Sequence, residues 1–175
     1  MAEAMTEAPL NIVPTLPQPG NYGVSHGAGM VGELIRHATE SWAGHAFVYV
    51  GNGMIIEAAP PATRLAPAAS HPDAVWNLHE PLTGAQRTAI VARAHALLGR
   101  PYDYGAYIGL ALEILGIKSG KQLDPVFRRD TWRDCSADVA DEYSFAGIDL
   151  RAGLQYPNLV TPADLYNRIA KQAGS

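Results

Sequence analysis

Hydrophobic and polar positions along this chain change period several times, and each change marks an element. GMVGELIRHATES, Gly29 to Ser41, places Val31, Leu34, Ile35 and Ala38 on one side, the pattern of a short amphipathic helix. HAFVYVGNGMIIEA, His45 to Ala58, is two β-rich runs around Gly51-Asn52-Gly53, which predicts a hairpin. AVWNLH, Ala74 to His79, is a further strand. A helix follows from Gly84 to Leu98, with Thr83 as N-cap, Gly99 as its stop, and Ile90, Val91, Ala94, Leu97 and Leu98 as its buried side. YGAYIGLALEILG, Tyr104 to Gly116, is mostly apolar and predicts a buried helix; KSGKQLDPVFRRDTW after it reads as a loop. The pattern predicts another helix over Cys135 to Ala146, stopped by Gly147, and a last one from Pro162 to Lys171 with Thr161 as N-cap. Strands early and helices late predict an α+β domain. Residues 1–20 contain Pro14, Pro17 and Pro19 and no periodicity, and are expected to form a flexible arm before one domain over residues 21–173.

Composition narrows the function classes. The 175 residues carry a net charge of -4 and no basic run, which argues against nucleic acid as a partner. A single cysteine excludes an intrachain disulfide, so nothing demands an oxidising compartment. The opening MAEAMTEAPL has glutamates where a secretion signal has positive charge, and no stretch approaches the ~20 apolar residues of a membrane span. The expected location is the cytoplasm, or association with a phage particle.

That cysteine is the main chemical clue. Asp134 suits an N-cap, which puts Cys135 in the first turn of its helix. Amide N–H groups and the helix dipole at such a position favour thiolate and can later hold an oxyanion. The competing reading is a small buried apolar residue. A nucleophile needs a base, so the histidines decide. His26, His37, His71, His79 and His95 border helices, loops or a strand end and read as surface or structurally satisfied side chains. His45 differs because it opens a strand.

Hairpin register then matters. With a three-residue loop, Gly51 to Gly53, Val50 faces Met54, Tyr49 faces Ile55 and Phe47 faces Glu57. His45, Phe47 and Tyr49 then share a face with Glu57, and His45 and Glu57 become diagonal neighbours within hydrogen-bond reach. A two-residue Asn52-Gly53 turn would pair Glu57 with Val48 and send it to the other face. A role for Glu57 beside His45 therefore requires an odd loop or a bulge; otherwise Glu57 is an ordinary solvent-facing residue.

GHAFVYVGNGMIIEAAP, RPYDYGAYIG and DCSADVADEYSFAGIDL, in this order, resemble the circularly permuted branch of the NlpC-type cysteine hydrolases, which share a papain-like fold. SHGAGMVGELIRHATESWAGH resembles that branch's opening strand, short helix and histidine strand, and VTPADLYN its closing segment. The hairpin is also similar to that of lecithin:retinol-acyltransferase-like proteins, which carry a second His where Glu57 stands. The resemblance implies Cys135 as nucleophile, His45 as base, Glu57 as the orienting residue, and an antiparallel sheet packed against the cysteine helix. It also implies an oxyanion hole from the Cys135 backbone N–H with a neighbouring donor, and no metal or other cofactor. The chain departs from the pattern at Gly20-Asn21, where Gly-Asp is usual, and at Ala137-Asp138, where Glu often follows Cys-Ser.

On this reading the chain is a cysteine hydrolase of amidase or peptidase type, acting through an acyl-enzyme on a peptide, amide or lipid-like acyl substrate. Trp42, Tyr102, Tyr104 and Trp132 are candidates to line the cleft, with core packing as their competing role. A lipid-directed acyltransferase or thioesterase of the same fold is the alternative. A non-catalytic binding or structural module is a second class. A zinc site built from His45, Glu57 and Cys135 is a third, weakened by the lack of closely spaced ligand pairs.

Overall fold

The computed structural model describes residues 16–102, 135–154 and 160–174. Its elements are β1 (Tyr22–Ser25), α1 (Gly29–Thr39), β2 (His45–Gly51), β3 (Met54–Ala59), β4 (Ala62–Pro67), a 3-10 turn (Ala68–Ser70), β5 (Val75–Trp76), α2 (Gly84–Leu97), α3 (Cys135–Phe145) and α4 (Pro162–Ala173). The five strands form one sheet, ordered β4-β3-β2-β1-β5, with every pairing antiparallel. The architecture is α+β. The expected Tyr104–Gly116 helix, the loop after it and the Asp134 cap lie outside the described residues.

Two helices start as their caps dictate. Thr83 and Thr161 each accept the backbone N–H three residues on, while Gln86 and Asp164 bond back to the cap N–H. The boundaries shift where caps or backbone intervene. Helix α1 ends at Thr39 rather than Ser41 because Glu40 adopts a left-handed conformation. Helix α2 ends at Leu97, and Leu98 turns extended, so Leu98 is exposed rather than on the buried side expected of it; Ile90, Ala94 and Leu97 are buried.

The expected arm through residue 20 is shorter at its inner end. Gly20 N–H donates to the Tyr49 carbonyl and Asn21 N–H to the Gln18 carbonyl, so a turn at 18–21 is fastened to β2. Strand β1 is the central link between β2 and β5. Strand β4 has no counterpart in the sequence reading, because Pro60, Pro61 and Pro67 obscure it. It is an edge strand, where a missing backbone N–H is tolerated. Strand β5, at the other edge, keeps only two residues of the expected Ala74–His79 run.

The core joins one face of the sheet to the helices. Tyr22, Val24, Ala46 and Val48 pack with Ile90 of α2, Val139, Ala140 and Tyr143 of α3, and Leu165 of α4. On the sheet's other face Phe47, Ile55 and Ala66 form a smaller cluster with Tyr49 and Trp76. Helix α3 lies against α2, β2 and β3. Ser136 Oγ donates 2.9 Å to the Val160 carbonyl, tying the start of α3 to the segment entering α4.

Helix α3 also buries two acids one turn apart, Asp138 and Glu142. Burial pushes the Glu142 carboxyl well above its usual range; Asp138 and Asp141 push it further, against Arg93. Because the folded value is raised, the neutral carboxyl contributes stability that is full below about pH 4.5 and is lost as pH climbs toward the raised value. Glu142→Gln is expected to remove that slope and to stabilise the protein at pH 8. Melting curves of both proteins from pH 4.5 to 8 check this, and parallel profiles would refute it.

Candidate active site

The hairpin carries the site through an irregularity. Asn52 and Gly53 both have positive φ, the two-residue turn that Asn-Gly favours. By itself that turn would send Glu57 to the wrong face. The register shows Gly51 opposite Met54, Tyr49 opposite Ile55, and Phe47 opposite Glu57, with a shift between Tyr49 and Gly51. Val50 is the extra residue of a bulge, not the partner of Met54 that a three-residue loop requires. The bulge restores the parity and keeps Glu57 on the face of His45 and Phe47.

His45 Nε2 lies 2.7 Å from Glu57 Oε2. Glu57 is 2 % exposed, so it is not the solvent-facing residue of the competing reading. Two further donors converge on it. Arg64 stands directly opposite on β4, and its Nε donates to Oε1 at 2.9 Å. His71 Nε2 meets Oε2 at 2.9 Å, while its Nδ1 lies 3.2 Å from Ser25 Oγ. The His71 ring stacks on Phe47 with centroids 4.6 Å apart. His71 is therefore built into the site with both ring nitrogens satisfied, the second of the two roles its sequence position suggests rather than the surface one.

The Cys135 thiol shares a cleft with the His45 imidazole and acts on it through charge and hydrogen bonding. With Nε2 engaged by Glu57, Nδ1 is the ring nitrogen left to exchange a proton with sulfur. Burial works to lower the His45 pKa, but the charge and hydrogen bond of Cys135, then those of Glu57, outweigh it and raise the value to about 9. For Glu57, burial works to raise the carboxyl; hydrogen bonds from His45, His71 and Arg64 reverse this and hold it well below the usual carboxylate range.

Cys135, His45, Glu57 and His71 all line one cleft of about 200 Å³. Ala59, Pro60 and Tyr102 also line it. Gly44, at the cleft, has no room for a side chain: a Cβ there would clash with the His26 carbonyl and come within 2.8 Å of the Gly32 carbonyl. Of the aromatic cleft candidates, Tyr102 lines it. Trp42 does not; it is 38 % exposed and packs between His26 and Tyr166, because it follows the end of α1 rather than facing β3. Tyr104 and Trp132 lie outside the described residues.

Sequence reasoning missed Arg64 and His71. A hairpin drawn around Pro60-Pro61 would have set Arg64 opposite Glu57. No sequence signal marks His71, which reaches the site from the segment after the 3-10 turn.

No protein-family model matches the chain, and no curated protein matches it. Among the described residues, no helix is long and apolar enough to cross a membrane.

Proposed function

We propose that the protein is a cysteine hydrolase of amidase or peptidase type with a permuted, NlpC-like papain fold. The observation that carries this reading is one contact set: the Cys135 thiol on the His45 imidazole, whose other nitrogen is held by the buried Glu57 carboxylate. A nucleophile, a base and an orienting group in sequence, within one cleft, are the parts acyl transfer needs. An antiparallel sheet with the cysteine helix against its histidine strand supports the fold assignment.

In the proposed reaction His45 holds the thiol proton at Nδ1, and the Cys135 sulfur attacks the acyl carbon. A sulfur–carbon bond forms and the carbonyl electrons move to oxygen, which the Cys135 backbone N–H at the start of α3 and a neighbouring donor stabilise. The carbonyl re-forms, the bond to the leaving group breaks, and His45 gives that group its proton. Water then attacks the thioester, passing a proton to His45, and the acid departs with sulfur restored. Glu57 does not take up a proton; it keeps Nε2–H engaged so that Nδ1 faces sulfur.

The test is reaction with small thiol-directed probes bearing peptide, amide or lipid acyl groups. Small probes are needed because Cys135 is only 2 % exposed. His45→Ala is expected to slow alkylation of Cys135 at pH 7 by roughly tenfold or more. Since His45 holds its proton up to about pH 9, turnover that uses it as the acid should fall as pH rises through that value. An alkylation rate unchanged in His45→Ala would sink the pairing.

A further inference from the structure

We propose that His45, Glu57 and His71 form a site for a divalent transition-metal ion of the zinc type. The proposal stands on the side-chain geometry alone.

The three residues each turn one ligand atom toward the others, and these atoms all lie within 4.8 Å of one another. Two imidazoles and one carboxylate are a donor set that open zinc sites use, with water completing the shell. The atoms are brought together by three different segments, β2, β3 and the stretch after the 3-10 turn, so the cage exists before any ion arrives. All three residues line the cleft, which supplies an entry path.

The surroundings fit as well. Ligating histidines and carboxylates in metal sites are themselves hydrogen-bonded. Here His71 Nδ1 has Ser25 Oγ, Glu57 Oε1 has Arg64 Nε, and His45 has the Cys135 thiol. Ligand distances of about 2.0–2.2 Å around a tetrahedral ion set its donors a little over 3 Å apart. The present His45–Glu57 and His71–Glu57 separations of 2.7 and 2.9 Å need only a small outward movement.

The ion takes the place of whatever proton each Nε2 carries, which is released to solvent, while each Nδ1 keeps its own partner, sulfur for His45 and Ser25 Oγ for His71. Arg64 opposes the ion by its charge, but its side chain is 56 % exposed and free to swing outward.

The experiment uses the whole chain, stripped with a chelator and titrated with Zn²⁺ against a chromogenic competitor. One equivalent should bind, and a chelator should remove it. His71→Ala should weaken binding at least tenfold, and His71→Gln supplies the same readout if the alanine variant folds poorly. Arg64→Gln should tighten binding several-fold. Cys135→Ala should retain binding within a few-fold. Loss of binding in Cys135→Ala but not in the His71 variants would overturn the site, as would no uptake at roughly 100 μM Zn²⁺. Turnover without zinc uptake would leave the hydrolase reading intact; zinc uptake without turnover would leave only the metal site.

Discussion

Cys135→Ala is expected to abolish turnover of any acyl substrate, a loss on the order of 10⁴-fold or more, while leaving a folded protein. Removing one sulfur from a buried position costs about 1–2 kcal/mol at most, because the void is smaller than a methylene pair. The same variant should move His45. Its value of about 9 depends on the charge and hydrogen bond of Cys135, which together oppose burial. With sulfur gone, burial gains and the imidazole should titrate lower, visible by NMR of the ring protons. The raised value also sets a stability window. The protonated imidazole contributes fully below about pH 6.5 and the contribution is lost as pH rises through about 9, so the variant should lose less stability than the parent across that interval. A variant that unfolds, or that keeps its activity, would return Cys135 to an ordinary core residue.

The second large effect is expected at Glu57. Glu57→Gln removes a buried charge that faces two imidazoles and a guanidinium. Arg64 is mostly exposed and contributes little to the cost; the imidazoles of His45 and His71 carry it, since an amide cannot accept from both on its nitrogen side. The expected cost is about 2–4 kcal/mol in stability and roughly 10²–10⁴-fold in activity, less than loss of the nucleophile. The sign with pH is opposite to that of His45. The Glu57 carboxyl is depressed, so its stability is present above the unfolded value near 4.5 and is lost as pH falls toward the depressed one. The glutamine variant should therefore show a flatter acid limb in denaturation. Unchanged melting temperature together with full activity would remove Glu57 from the site.

Much of the candidate site was written in local pattern. The strand and turn preferences of His45 to Ala58 set the hairpin, Gly147 marked the end of the cysteine helix, and Thr83 and Thr161 marked two helix starts through their own hydroxyls. These signals are legible because they act within a few residues. The same reading overextended the hydrophobic side of α2 to Leu98, where a backbone turn takes the side chain into solvent.

What the sequence determined by itself is the kind and order of most elements, β4 excepted, and the residue types that chemistry requires: one thiol near a helix start and one imidazole opening a strand. Only the tertiary structure decided who meets whom. The Val50 bulge chose the face of Glu57, a proline-flanked edge strand set Arg64 opposite it, and the segment after the 3-10 turn delivered His71 from 14 residues away. The reason is that short-range preferences fix the backbone within a turn or a strand, whereas the partners of a buried charge are fixed by the packing of segments distant along the chain. Burying Glu57 is tolerable only where those partners arrive together, and no local pattern records their arrival.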